Sequence, residues 1–285
     1  MERLRQTQEI LRELIAFPTV SADSNLELIA FLAGLLEDVG ARVELHASPC
    51  GNKANLFATL GPERDGGILL SGHTDVVPAE ALDWASDPYE MQEREGRLFG
   101  RGSCDMKGFI AAALAMAPVF AARPLARPLH FAFTYDEEVG CFGAQHLAEI
   151  LQEHGPRPAI GIIGEPTEMR IIEGHKGCYE YTTHFTGLSG HGSLPDHGVS
   201  AVEYATRYVH HLMGLRVQLR ATAPTDCRFD PPYTSVNIGT ITGGAARNVV
   251  APYAHVEWEM RPVQPGDAEF VKHNLRRYCS EELLP

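Results

Sequence analysis

The sequence predicts an α/β protein in two parts. A largely parallel sheet flanked by helices occupies residues 1–175, and an α+β unit of ferredoxin-like type occupies residues 176–285. Three observations predict this. Short apolar runs alternate with helical periodicity through the first part. The order becomes β-α-β-β-α beyond residue 176. No internal repeat or low-complexity tract interrupts either part.

In the first part, Leu4, Leu11, Leu14 and Ile15 fall at helical spacing and Pro18 ends the run. A second helix carries Leu28, Ile29, Leu32, Leu35 and Leu36 and stops at Gly40. Strand-like segments follow at 43–45 and 55–60, and a short apolar run at 68–71 lies between Gly66-Gly67 and Gly72, as in a buried strand. An alanine-rich helix at 106–120, a strand at 129–135, a helix at 142–152 and an apolar strand at 160–163 complete the alternation. In the second part the pattern predicts strands at 179–185, 235–241 and 254–260 and helices at 199–215 and 268–278, with a proline-bearing loop at 221–232.

Bulk properties exclude several classes. The chain has 285 residues, 44% hydrophobic and 21% charged, enough for one large or two ordinary domains. With 24 basic and 37 acidic side chains the net charge is −13, and the pI is near 5.4. Such a chain repels nucleic-acid backbones and anionic membrane surfaces. The first 20 residues interleave charged and apolar side chains, unlike a secretory segment, and no apolar run reaches the ~20 residues of a membrane span. The cysteines at 50, 104, 141, 178, 227 and 279 form no C-x-x-C pair and read as reduced thiols, so a cytoplasmic location is expected.

In open α/β sheets, ligands sit beyond the carboxyl ends of the strands. Metal-capable residues fall at several such positions. His73 and Asp75 follow the strand ending at Ser71, Asp136, Glu137 and Glu138 follow the one ending at Tyr135, and Glu165 follows the one ending at Ile163. Asp105 lies in a glycine-rich turn just before a helix. Imidazole and carboxylates gathered from strand ends suit a hard or borderline divalent cation. Each also has a plainer reading: a surface histidine, an N-cap aspartate, a solvated acidic loop. Their joint placement on one edge favours the cation. Other motifs fail. Gly187-Leu188-Ser189-Gly190-His191 misses G-x-S-x-G at its last position, Asp105 breaks a G-x-G-x-x-G from Gly100, and Cys104 reads as a packing residue.

Four segments carry a resemblance. GHTDVVP at 72–78, GRGSCDMKG at 100–108, DEEVG at 136–140 and GEPT at 164–167 resemble the M20 family of metal-dependent peptidases and deacylases in order, spacing and context. The first part is then the catalytic metal-binding domain and the second a lid and dimerisation domain. The resemblance implies two zinc (or cobalt) ions: His73 and Glu165 on one, Glu138 on the other, with Asp105 bridging them through its two oxygens and followed by a cis peptide. Glu137 is implied as general base and acid, on the view that adjacent residues in extended backbone point to opposite sides. Asp75 is implied to orient His73 through the other ring nitrogen.

In the second part, His191 matches the family's lid histidine. It is implied to reach the partner subunit's site in a homodimer and stabilise the oxyanion, the alternative being an ordinary loop histidine. Asn248 and Arg261 match lid positions, Arg261 either gripping a substrate carboxylate or forming an ion pair on its strand. Gly243 and Gly244 either admit backbone close to substrate or form a plain turn. Lys176 is a further candidate for substrate contact. EGHKGCYEY at 173–181 and PPYTSVNIGTITGG at 231–244 point, within the family, to N-acetylornithine as the N-acyl amino acid hydrolysed. Succinyl-diaminopimelate, or N-acyl amino acids in general, are the alternatives on the same scaffold, and a non-catalytic metal-binding or interaction protein is the alternative of another class.

One feature of the family pattern has no counterpart. The family uses a further histidine on a C-terminal segment that returns to the first domain, and His273 lies inside a helix of the second. The expectation is a chain that stops short. Its lid would lack a last strand, its second metal site would be incomplete, and its activity would be weak or absent as it stands.

Overall fold

The computed structural model describes residues 2–79 and 84–284. They divide into two compact units, Met1–Arg170 and Ile171–Pro285, slightly upstream of the expected boundary.

In the first unit α1 (Glu2–Ala16) and α2 (Leu26–Asp38) precede β1 (Arg42–Ala47), β2 (Ala54–Leu60) and β3 (Ile68–His73). The small hairpin of β4 (Gln92–Arg94) and β5 (Arg97–Phe99), which periodicity did not reveal, comes next. Then follow α3 (Lys107–Ala121), β6 (Leu129–Thr134), α4 (Phe142–His154) and β7 (Ile160–Ile163). The sheet runs β1-β2-β6-β3-β7. It is mixed. β3 is parallel to β6 and β7, whereas β1–β2 and β2–β6 are antiparallel. Connection length accounts for the β1–β2 pair. β1 and β2 are joined by a short turn closed by the Ser48 N–H donating to the Lys53 carbonyl at 2.8 Å, and so short a link reverses the chain, whereas a parallel pair needs a crossover.

Side chains alternate across this sheet as strand geometry requires. Leu56, Ala58, Phe131 and Phe133 face a core built with Leu14, Ile15, Leu28, Leu32, Leu36 and Ile110, while Phe57 and Ala132 face Leu147 of α4 on the other side. In α1 the core stripe holds Leu11, Leu14 and Ile15, whereas Leu4 is exposed. β7 is apolar but exposed along its length, and among the described residues it pairs with β3 alone.

In the second unit β8 (Tyr179–Thr186), β10 (Ser235–Gly243) and β12 (Tyr253–Arg261) form an antiparallel sheet of order β10-β12-β8. Val256, Trp258 and Met260 pack on α5 (Ala201–Ala221) and α6 (Asp267–Tyr278) through Tyr208, Leu212, Val271 and Leu275. α5 continues six residues beyond the expected end at Leu215, where its buried stripe carries on through Leu219. The two-residue strands β9 (Gly190–His191) and β11 (Val249–Val250) pair separately. No helix among the described residues is long and apolar enough to cross a membrane.

Candidate active site

Three strands fix the site. β6, β3 and β7 are parallel, so their carboxyl ends share one edge of the sheet. Register sets the depth: His73 lies opposite Thr134, and Ser71 opposite Ile163, so Glu165, two residues on, stands level with His73. The segments after Thr134 and Ile163 deliver Glu137, Glu138 and Glu165 to that edge. Asp105 arrives from the turn before α3, on a cis Asp105–Met106 peptide. It is not an N-cap. Met106 holds that position, without a capping side chain.

His73 is the centre of the arrangement. Its side chain is 1% exposed. Its Nδ1 donates to the Asp75 main-chain carbonyl at 2.9 Å, since a carbonyl can only accept. In the neutral ring that places the free lone pair on Nε2, which lies 3.0 Å from Asp105 Oδ1, 3.8 Å from Glu165 Oε1 and 3.9 Å from Glu137 Oε2. Donor atoms of His73, Asp105 and Glu138 lie within 4.8 Å of one another, as do those of His73, Glu137 and Glu165. The structure therefore brings His73, Asp105, Glu137, Glu138 and Glu165 together in two overlapping groups.

The structure changes two expected details. Asp75 orients His73 through its backbone carbonyl, and its carboxylate Oδ1 stands off at 3.6 Å. That carboxylate instead accepts the N–H groups of Glu137 at 3.1 Å and Glu138 at 3.3 Å and the Ser21 hydroxyl at 2.6 Å. The 136–141 segment is a turn, not extended backbone, with Asp136 at φ +55° and the Gly140 and Cys141 N–H groups both donating to the Glu137 carbonyl. Asp136 points into an ion pair with Lys53 at 2.6 Å, away from the cluster, so the acidic triplet splits into one structural and two site residues.

Electrostatics record the crowding of acids. Burial pushes the Glu165 carboxyl up, His73 opposes this, and Asp105 and Glu137 add to the rise, leaving it at about 7. Burial and Asp105 likewise raise Glu138. Burial pulls the His73 imidazolium down, but Asp75 and Asp105 outweigh it and its pKa rises to about 9. Carboxylates pressed together around one imidazole are a donor set that a divalent cation neutralises, and their oxygen and nitrogen atoms suit zinc or a similar ion.

Sequence reasoning missed Ser21, Lys53 and Lys107. Lys107 is fully buried, and its ammonium donates to the Leu14 and Phe17 carbonyls at 2.9 and 2.7 Å, tying the start of α3 to the end of α1. A lysine beside a glycine-rich turn carries no pattern that distinguishes this from a solvated one.

In the second unit, β9 and β11 set His191 opposite Val249, and the Gly192 N–H donates to the Asn248 carbonyl at 2.8 Å, so His191 and Asn248 are neighbours. His191 is exposed, its Nδ1 2.7 Å from the Ser193 hydroxyl. Arg261 makes a two-pronged contact with Glu259 Oε2, at 3.2 Å from Nε and 2.8 Å from Nη2, which is the strand ion pair of its plainer reading. Gly243 lies so close to its partner Ala254 that a Cβ there would fall 2.7 Å from the alanine Cβ, and Gly244 has φ +72°. Lys176 donates to the Tyr233 carbonyl at 3.0 Å.

A sequence model of peptidase family M20/M25/M40 matches residues 69–273, from β3 into α6. The chain belongs to this M20 family. It is 40% identical to the acetylornithine deacetylase of Edwardsiella ictaluri (strain 93-146), covering 97% of this chain and 72% of the relative. It is 39% identical to that of Proteus mirabilis (strain HI4320), covering 90% and 67%. Among solved structures, the M20 family metallo-carboxypeptidase Sso-CP2 of Sulfolobus solfataricus superimposes with a TM-score of 0.76 at 16% identity, over 97% of this chain and 75% of that one. Human carnosine dipeptidase 1 does so with 0.67 at 19%, over 99% and 74%. These likenesses show the M20 fold, an α/β unit with a mixed sheet and a separate antiparallel sheet.

Proposed function

We propose that this M20 hydrolase cleaves the amide bond of an N-acyl amino acid, N-acetylornithine before others, to release acetate and the free amine. The observation that carries the reading is the convergence of one imidazole and four carboxylates on one sheet edge, with Glu137 among them. The relatives' names supply the substrate.

His73, Asp105 and Glu165 would hold one divalent cation, with Asp105 and Glu138 contributing to a second. Zinc is the first choice and cobalt the substitute. A cation held there supplies Lewis-acid chemistry, polarising the scissile carbonyl and acidifying water. The chain's own residues do the rest. His73, fixed by the Asp75 carbonyl, offers Nε2 to the site. Glu137, side chain 37% exposed and 3.9 Å from that nitrogen, takes the proton of the attacking water and returns it to the leaving amine. Asp75 fixes the main chain of Glu137 and Glu138 together.

From the second unit, we assign His191 to the oxyanion, acting in a partner's site within a homodimer formed through these units, and its neighbour Asn248 to substrate binding. Arg261 receives the substrate carboxylate if it leaves Glu259, and Gly243, Gly244 and Lys176 border the substrate. A cytoplasmic setting belongs to the same reading.

The test is a comparison of cobalt-loaded protein on N-acetylornithine and on N-succinyl-diaminopimelate. Faster release of acetate than of succinate is expected. Equal rates, or a preference for the succinyl compound, would overturn the substrate assignment.

A further inference from the structure

We infer that Lys53 is a positioning residue of the cation cluster, setting the turn that carries Glu137 and Glu138 through simultaneous contacts with Asp136 and Ser21. The inference rests on reading that cluster as a hydrolytic metal centre.

Lys53 stands at the end of the β1–β2 turn, immediately before β2. Its side chain is only 11% exposed and that of Asp136 15%. An ammonium this enclosed has given up most of its hydration and is held by its partners. Those partners are two: Nζ donates to Asp136 Oδ1 at 2.6 Å and to the Ser21 carbonyl at 2.5 Å.

Both contacts lead to the site by short routes. Asp136 is bonded directly to Glu137 in the chain and sits in the left-handed region, φ +55°, where side-chain-bearing residues are uncommon. The ion pair helps hold it there, and the turn after it begins from that geometry. Ser21 leads in from the other side. Its hydroxyl donates to Asp75 Oδ2 at 2.6 Å and its N–H to the Val76 carbonyl at 3.2 Å. Asp75 in turn accepts the Glu137 and Glu138 N–H groups. One ammonium therefore braces the start of the turn directly and the carboxylate that grips its next two residues indirectly. Among the described residues its ammonium bonds to Asp136 and Ser21 and not to His73, Asp105, Glu138 or Glu165, so it acts only through others.

The experiment uses the 285-residue chain with Lys53→Met, Lys53→Arg, Asp136→Asn and the Lys53→Met/Asp136→Asn double variant. Each is titrated with Co²⁺ by visible absorption, and thermal unfolding of the metal-free protein is recorded beside it. Lys53→Met is expected to weaken Co²⁺ binding by about 10- to 100-fold and alter the absorption envelope, as the loss of a ligand-orienting partner does. Lys53→Arg keeps a cation with donors for both oxygens and is expected to restore most of the affinity. The double variant should be no weaker than Lys53→Met, because the two residues act as one pair.

Lys53→Met with a lowered melting temperature but unchanged Co²⁺ affinity and spectrum would overturn the proposal, leaving the pair a support of the fold alone. So would failure of arginine to rescue. A parent chain that binds Co²⁺ without hydrolysing any N-acyl amino acid would overturn the proposed activity and leave this test standing. A parent chain that binds no Co²⁺ would overturn the metal-centre reading and this proposal with it.

Discussion

The ring of His73 is oriented by the main-chain carbonyl of Asp75 at 2.9 Å, while the carboxylate of Asp75 is committed elsewhere, to the Glu137 and Glu138 N–H groups. The two halves of one residue thus serve two parts of the site. Burial raises the Asp75 carboxyl pKa, but the nearby His73 ring, the Ser21 hydroxyl and the Glu137 N–H outweigh it and lower it, so it remains an anion and a strong acceptor. Asp75→Ala is expected to leave the carbonyl contact to His73 in place and release the Glu137–Glu138 turn. Metal affinity should fall by about 10- to 100-fold. Unchanged Co²⁺ binding by this variant would contradict the assignment.

The proposed function gives Glu137 and its neighbour Glu138 different roles. Replacing Glu137 with Gln removes the proton acceptor and keeps the shape. Turnover is expected to drop by about 10²- to 10⁴-fold with metal content retained, as judged by elemental analysis. Glu138→Gln should instead lower metal content. If the two variants behaved alike, the division of labour within the pair would be wrong.

The acidic cluster makes metal binding pH-dependent. His73 has a folded pKa of about 9 against an ordinary 6.5, so in the metal-free protein its stabilising contribution is complete below pH 6.5 and lost as pH rises through 9. Glu165, raised from 4.5 to about 7, favours the protonated folded state, and its contribution is likewise lost as pH rises from 4.5 through 7. Cation binding needs both groups deprotonated, so Co²⁺ affinity should climb between pH 6 and 9 and binding should release protons. Isothermal titration at pH 6.5 in buffers of different ionisation enthalpy reads that release directly. Binding enthalpies independent of the buffer would refute it.

Gly164 sets the approach of Glu165. A Cβ there would lie 1.9 Å from Phe109 Cγ, at the root of a ring carried by α3, where a small rotation cannot clear it. Gly164→Ala is expected to cost about 1–3 kcal/mol of stability by overpacking and to weaken Co²⁺ binding by shifting Glu165. Adding Phe109→Ala should recover the metal affinity. A Gly164→Ala variant with parental melting temperature and affinity would count against the close fit.

Much of this site was legible in the sequence, because its metal-capable residues sit at or just past the ends of apolar strands, where strand direction alone puts them on one edge. His73, Glu137, Glu138 and Glu165 all follow that rule, and Asp105 was marked by the glycines of its turn. Ser21, Lys53 and Lys107 were not legible. Their contacts span from 32 to 93 positions along the chain, and a single lysine or serine in a loop looks the same whether solvated or buried. The antiparallel half of the sheet escaped for a related reason: the apolar patterns of β1 and β2 mark strands but not their direction. Asp75 was assigned the correct neighbour, yet the pattern held nothing to separate its carbonyl from its carboxylate.

The most direct test of the central claim is a Co²⁺ titration of the parent chain against His73→Ala, followed by visible absorption and elemental analysis. The arrangement predicts saturable binding to the parent, with a d–d spectrum of mixed nitrogen and oxygen donors, and loss of that binding in His73→Ala. Equal affinity and the same spectrum in both proteins would mean that the imidazole and the carboxylates around it do not hold a cation.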